Sequence, residues 1–212
     1  MTWSRLGLLK YKTIKKIINK IHNSIEGIHR EIIQNDLYES LAQIGSGSDV
    51  CQPFIITNPD CTSIGDNTTI LANCRMQAYR DSEGKRGRIT IGDGCFIGYY
   101  FTILAGGDVN IGNDVLIAAN VGIFSENHGM DPLSEESYMH QPLICRDVNI
   151  GDGCWISESV KIMPGVDIGE KCIIGAGAVV TKSVPAFSIA AGNPARVVKR
   201  FDFDRCEWIY VQ

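Results

Sequence analysis

Aliphatic residues recur every six positions through the C-terminal half of this 212-residue chain: Ile150, Ile156, Ile162, Ile168, Ile174 and Val180 follow one another without a slip. A helix repeats every 3.6 residues and a half-buried strand every two, so neither produces this interval. A short strand followed by a tight corner does, and three such steps close a triangular coil in which equivalent aliphatics stack. Shorter series with the same step are Ile64 and Ile70, then Ile91, Ile97 and Ile103, then Ile111, Ile117 and Ile123. The spacing predicts Ile150 over Ile168 and Ile156 over Ile174. Each coil hides its apolar face only by stacking on the next, so the expected fold is an all-β solenoid. Glycine after the aliphatic position (Gly65, Gly92, Gly98, Gly112, Gly151, Gly169, Gly175) is read as tolerating corner angles that other residues resist, with Asp or Asn after it favouring a turn.

Ahead of residue 44 the period changes. Leu6, Leu9, Ile14, Ile17, Ile18, Ile21, Ile25, Ile28 and Ile32 step by three, four or one, which predicts an amphipathic α-helix. Its other face carries Lys10, Lys12, Lys15, Lys16 and Lys20. The chain thus divides into a helical extension (1–43), a repeat domain (44–200) with a loop insertion at about 124–147, and a tail (201–212). Residues 1–30 hold five Lys and two Arg against Glu26, a charge of +6 that leaves −10 for the remainder of a chain whose net charge is −4. An acidic main body argues against nucleic-acid binding. Weak membrane-surface contact through residues 1–30 stays open, with packing against the repeats or a neighbouring subunit preferred. The early apolar run from Leu6 to Leu9 is cut by Lys10, too short for a signal peptide or membrane span, so a cytoplasmic location is expected.

The eight cysteines contain no CxxC pair. Cys74, Cys95, Cys154 and Cys172 each follow an aliphatic ladder position by four, a place suited to small packing residues, so they are expected to be free thiols. No metal site is expected.

Insertions must leave a solenoid as loops, so gaps in the count locate candidate chemistry. One gap spans roughly Gln77 to Arg88 and includes Arg80, Asp81, Glu83, Lys85, Arg86 and Arg88. The second spans Phe124 to Asp147 and contains SENHGMDP. Of the four histidines, His22 and His29 lie on the N-terminal helix and His140 late in the loop. His128 follows directly on the coil that ends at Ile123, where an imidazole can act as a base near neutral pH.

The run VNIGDGCWISESVKIMPGVDIGEKCIIGAGAVVTKSVPAFSIAAGNPARVVKRF resembles the hexapeptide-repeat acyltransferases, a family that includes galactoside, maltose, serine and streptogramin acetyltransferases. The likeness covers about Ile64 to Arg200. It implies a left-handed parallel β-helix, although general rules favour right-handed crossovers. It also implies a homotrimer binding acetyl-coenzyme A in a cleft between subunits. By the same resemblance His128 is the general base and Asn127 its neighbour in orienting ring or acceptor. Trp155, Ser157, Ala176, Thr181 and Lys182 lie along the coenzyme A cleft, with Gly175 and Gly177 allowing close approach. Arg196 and Lys199 lie near the adenosine phosphates, where cations suit phosphate oxygens.

In the acceptor region the sequence departs from the galactoside and maltose enzymes. Where those have an Asn-rich step and paired Asp residues, this chain reads FIGYYFTILAGGDV, so Tyr99 and Tyr100, with Asp131, are the expected acceptor contacts. The function implied is transfer of an acetyl group from acetyl-coenzyme A to a hydroxyl of a saccharide. A streptogramin-type acetyltransferase and a non-catalytic membrane or partner adaptor remain the alternatives.

Overall fold

The computed structural model describes the backbone of residues 5–79 and 84–211, with side chains from residue 12 onward. Arg80, Asp81 and Glu83 of the first insertion lie outside the described residues, as do the side chains of Leu6, Leu9 and Lys10. Two compact units result, residues 1–39 and 40–212. The first contains a single α-helix, α1, running unbroken over Arg5–Ser40. No helix among the described residues is long and apolar enough to cross a membrane.

In the second unit the chain cycles through three parallel sheets. The first is built, in spatial order, from Gln43–Ile44, Thr62–Ile64, Ile89–Ile91, Val109–Ile111, Val148–Ile150 and Asp167–Ile168. The second runs from Asp49–Val50 through Thr69–Ile70, Phe96–Ile97, Leu116–Ile117, Trp155–Ile156 and Ile173–Ile174 to Ser188–Ala191. The third contains Phe54–Thr57, Cys74–Ala78, Thr102–Ala105, Gly122–Phe124, Lys161–Ile162 and Val179–Val180. Every pairing among these strands is parallel.

The six-residue ladder forms the inside of this coil. Ile150 pairs with Ile168 and Ile156 with Ile174, as the spacing predicts. Three inner columns result, of which the second reads Ile70, Ile97, Ile117, Ile156, Ile174, Ala190, each fully buried. Side chains alternate across a strand, so the neighbour of each core residue faces outward. On the first sheet those neighbours are polar: Asn110 Nδ2 donates to Asn149 Oδ1 (2.9 Å) and Asn149 Nδ2 to Asp167 Oδ1 (2.7 Å). On the second sheet they include Phe96, Leu116 and Trp155, in register and exposed.

The corner glycines have a different reason from the one expected. None of Gly65, Gly92, Gly98, Gly112, Gly151, Gly169 or Gly175 has a positive φ. They are needed because successive coils nearly touch there. A Cβ on Gly92 would sit 2.6 Å from the carbonyl oxygen of Gly112, and one on Gly98 2.7 Å from the carbonyl carbon of Ala118. The left-handed conformation falls two residues later, at Asn67 (φ 53°), Gly94 (65°), Asp114 (53°) and Gly153 (62°), where Asn, Asp and Gly tolerate it.

All eight cysteines are free. Cys95 Sγ donates to the Gly112 carbonyl (3.1 Å) and Cys154 Sγ to that of Gly169 (3.1 Å), which satisfies both thiols inside the stack. Burial pushes the Cys74 thiol up to about 11.

Ile156 is fully buried between Ile117 and Ile174. Ile156→Ala leaves a cavity that parallel coils above and below cannot close, so it should cost about 2–5 kcal/mol, read as a lower denaturation midpoint at unchanged slope.

Candidate active site

The third sheet releases the chain to a long excursion after Gly122–Phe124. The loop is pinned at its base by the antiparallel pair Glu126–Asn127 and Ile144–Cys145, with Glu126 opposite Cys145 and Asn127 opposite Ile144. Asn127, in this clasp, and His128, just beyond it, are exposed, and Asp131 is exposed further out. Asp131 acts within the loop: its Oδ1 accepts from the Leu133 amide (2.8 Å). His140 is also exposed.

Glu126 stands two residues before His128, so an extended backbone turns both toward one side. Its carboxylate is half-buried, and Oε2 has no hydrogen-bond partner. Burial raises the Glu126 carboxyl above its ordinary 4.5, an effect opposed by the charge of His128. Gly106 makes room for it, since a Cβ there would lie 2.7 Å from Cys145 Sγ and 3.1 Å from Glu126 Oε2.

The remaining expected site residues fall on two other parts of the coil. Trp155 is exposed on the outer face of the second sheet. Ser157 and Ala176 occupy successive turns of the corner between the second and third sheets, where the Gly177 amide donates to the Glu158 carbonyl (2.8 Å). Arg196 begins the strand Arg196–Asp202, opposite Ala191, and its Nη1 donates to the Ala195 carbonyl (2.8 Å). Lys199, on the same strand, lies 4.3 Å from the centroid of the Tyr210 ring. Thr181 and Lys182, by contrast, follow Val179–Val180 and leave the third sheet at the C-terminal ends of its strands, as the loop bearing His128 does. Tyr99 and Tyr100 precede Thr102–Ala105, at the N-terminal ends of those strands. Tyr100 there lines a depression of about 480 Å³ with Pro53, Phe54, Ile55, Asn73, Cys74, Arg75 and Thr102. Within one chain, then, the segments bearing His128, Thr181 and Lys182 leave the same ends of the third sheet's strands, whereas Trp155, Ser157 and Ala176 lie on the second sheet and the corner after it.

Comparison with known proteins fits this architecture. The sequence pattern of the bacterial transferase hexapeptide (six repeats) matches residues 147–182, and that of the hexapeptide repeat of succinyl-transferase matches residues 88–125. The putative lipopolysaccharide biosynthesis O-acetyl transferase WbbJ of Escherichia coli K12 is 32% identical over 162 residues, 74% of this chain and 80% of that protein. The chain belongs to the hexapeptide-repeat acyltransferases. A putative acetyltransferase of Saccharomyces cerevisiae, YJL218W, is 40% identical over 112 residues, which are 53% of this chain and only 56% of the yeast protein. Among solved structures, a hexapeptide-repeat acetyltransferase from Vibrio cholerae complexed with acetyl-coenzyme A superposes with a TM-score of 0.53 at 25% identity, covering 94% of this chain and 91% of that one.

Two residues of this hexapeptide-repeat acyltransferase escaped sequence reasoning. Glu126 could have been found from its i, i+2 relation to His128. Gln141 carries no such signal. Buried inside the loop, it accepts from the Asp131 amide (2.9 Å) and donates to the carbonyls of Asp131 (2.9 Å) and Glu136 (3.2 Å). It fixes the path of residues 129–141.

Gln141→Ala strands these backbone groups and should cost about 1–3 kcal/mol locally, seen as faster hydrogen exchange at the Asp131 amide with the coil amides unchanged. Glu126 gives a pH-dependent test. A carboxyl raised in the folded state is favoured there in its neutral form, so stability falls as pH rises through its folded pKa. Glu126→Gln should therefore melt higher than the parent at neutral pH and equal to it below the carboxylate range.

Proposed function

We propose that this chain is an O-acetyltransferase that moves an acetyl group from acetyl-coenzyme A to a hydroxyl of a saccharide, with His128 as general base. The observation that carries the reading is the single exposed histidine at the clasped root of the loop, beside a half-buried carboxylate. In the reaction the acceptor oxygen attacks the thioester carbonyl carbon while His128 takes the hydroxyl proton. The tetrahedral intermediate collapses by breaking the carbon–sulfur bond. The departing thiolate recovers the proton from the imidazolium, leaving an acetate ester and coenzyme A.

In this reading Glu126 positions the ring and stabilises its protonated form, and Asn127 orients ring or acceptor. Trp155, Ser157, Ala176, Thr181 and Lys182 line the coenzyme A path, and Arg196 and Lys199 face its phosphates. Tyr99, Tyr100 and Asp131 contact the acceptor. The separation of these groups around one coil supports a homotrimeric left-handed β-helix in which one subunit brings His128 to another subunit's Trp155 face. The exposed register of Phe96, Leu116 and Trp155 suits such a subunit contact. Free thiols and acetyl-coenzyme A both fit a cytoplasmic setting. The likeness to the putative lipopolysaccharide biosynthesis O-acetyl transferase WbbJ favours a cell-surface sugar, nucleotide-linked or lipid-linked, as the acceptor.

The test is acetyl transfer from acetyl-coenzyme A to sugar nucleotides, free glycosides and streptogramins, followed by mass spectrometry of the acceptor. The intact protein should acetylate a saccharide, and His128→Ala should lower kcat roughly 10²–10⁴-fold. Unchanged turnover in that variant would remove His128 from the chemistry. Transfer to none of the acceptors would favour the adaptor.

A further inference from the structure

One face of α1 holds a pattern that acyl transfer does not use. Ile14, Ile18, Ile21, Ile25, Ile28 and Ile32 alternate steps of four and three without interruption. That is a heptad seam, with Ile18, Ile25 and Ile32 at position a and Ile14, Ile21 and Ile28 at position d. All six are between 52% and 60% exposed. The helix has no acidic residue in its first turn and no basic residue in its last, so its end charges do not offset the macrodipole. β-Branched residues are also indifferent helix formers. A helix of this composition draws its stability from covering the seam.

We infer that α1 forms a parallel three-stranded coiled coil with the same helix of two further copies of this chain. Residue identity selects the number of strands: isoleucine at both a and d shifts preference from two strands to three or four. An isoleucine slightly over half exposed offers roughly 90 Å² for burial, so six per chain in three chains remove roughly 1,600 Å² of apolar surface from water across the whole bundle. A closed three-fold arrangement makes the helices parallel and in register. The seam is a narrow a/d stripe of isoleucine, lacking within residues 12–36 the Trp and Phe typical of a helix lying in a membrane surface. Lys12, Lys16 and Lys20 fall at b, f and c, away from the seam. The inference concerns α1 alone and stands whether or not the coil transfers acetyl groups.

The test uses the full chain with Cys206, the exposed thiol, replaced by Ser. Ile14→Cys places a thiol at position d near one end of the seam, and Lys16→Cys places one at the outward position f. Parallel, in-register helices should give an interchain disulfide in the Ile14→Cys protein, seen as a doubled band on a non-reducing gel, and none above background in Lys16→Cys. Sedimentation equilibrium should give three times the 23.3 kDa of one chain. Ile18→Asp with Ile25→Asp should abolish the cross-link and lower helical circular dichroism, whereas Lys16→Asp with Asn23→Asp should do neither. No cross-link at position 14 overturns the inference, and so does an antiparallel pair, which would set Ile14 opposite Ile32. Flotation of a single-chain species with phosphatidylcholine–phosphatidylserine vesicles, lost in the Ile18→Asp, Ile25→Asp protein, would overturn it in favour of a membrane surface.

Discussion

Neighbouring parallel strands sit about 4.8 Å apart, and that spacing governs everything else in the coil. Ile117, Ile156 and Ile174 can fill their column only if each coil brings the same ladder position back to the same place. Corners therefore have to lie as close as strands do. That is why Gly92 faces the Gly112 carbonyl with no room for a side chain, and why the backbone reverses two residues later at Asp or Gly. Residues that do not fit the count cannot be absorbed by stretching a strand. They leave, as residues 126–145 do.

The chemistry depends on that rigidity. A stack of identical coils has flat outer faces and little concavity, so a reactive group must be carried out on an insertion or borrowed from a neighbouring surface. The Glu126–Cys145 clasp and the buried Gln141 keep the insertion from being merely a tether. They give His128 a fixed root while its ring faces solvent. The outer face of the second sheet, bearing Phe96, Leu116 and Trp155, points away from that root, so one chain presents two unlike surfaces rather than one enclosed site.

The columns were legible in the sequence because each inner position accepts one class of side chain and the interval is fixed by geometry. The same logic exposed α1, whose period differs, and the position of the insertion, where the count fails. The first coil was less visible, since Val50 stands between Asp49 and Cys51, and Phe54, Ile55 and Ile56 form a continuous apolar run that marks no single ladder position. The role of the corner glycines is not legible in the sequence, because crowding comes from the next coil, some twenty residues away, while conformational preference is local. Gln141 matters through burial created by the folded loop, and no spacing in the sequence announces that. Tyr99 and Tyr100 come from the likeness to the family's acceptor segment, and sheet register places them at the end of the third sheet's strands opposite the loop.

The end of the coil has a consequence of its own. Parallel strands leave their last rung with unpaired backbone groups, an invitation for another chain to continue the ladder. Here the chain folds back: Arg196–Asp202 runs antiparallel to Ser188–Ala191, and Glu207–Tyr210 runs antiparallel to it in turn. Residues 192–195 cross the end of the third sheet, where the Ala195 amide donates to the Val179 carbonyl and the Val179 amide to that of Gly192. Phe187, Phe201, Phe203 and Trp208 lock the reversal with edge-to-face contacts at 5.0–5.3 Å. The two reversals return Glu207–Tyr210 to the direction of the coil, but the inner columns have ended at Ala190 and Val180, so an arriving strand meets an antiparallel hairpin rather than a rung of the stack.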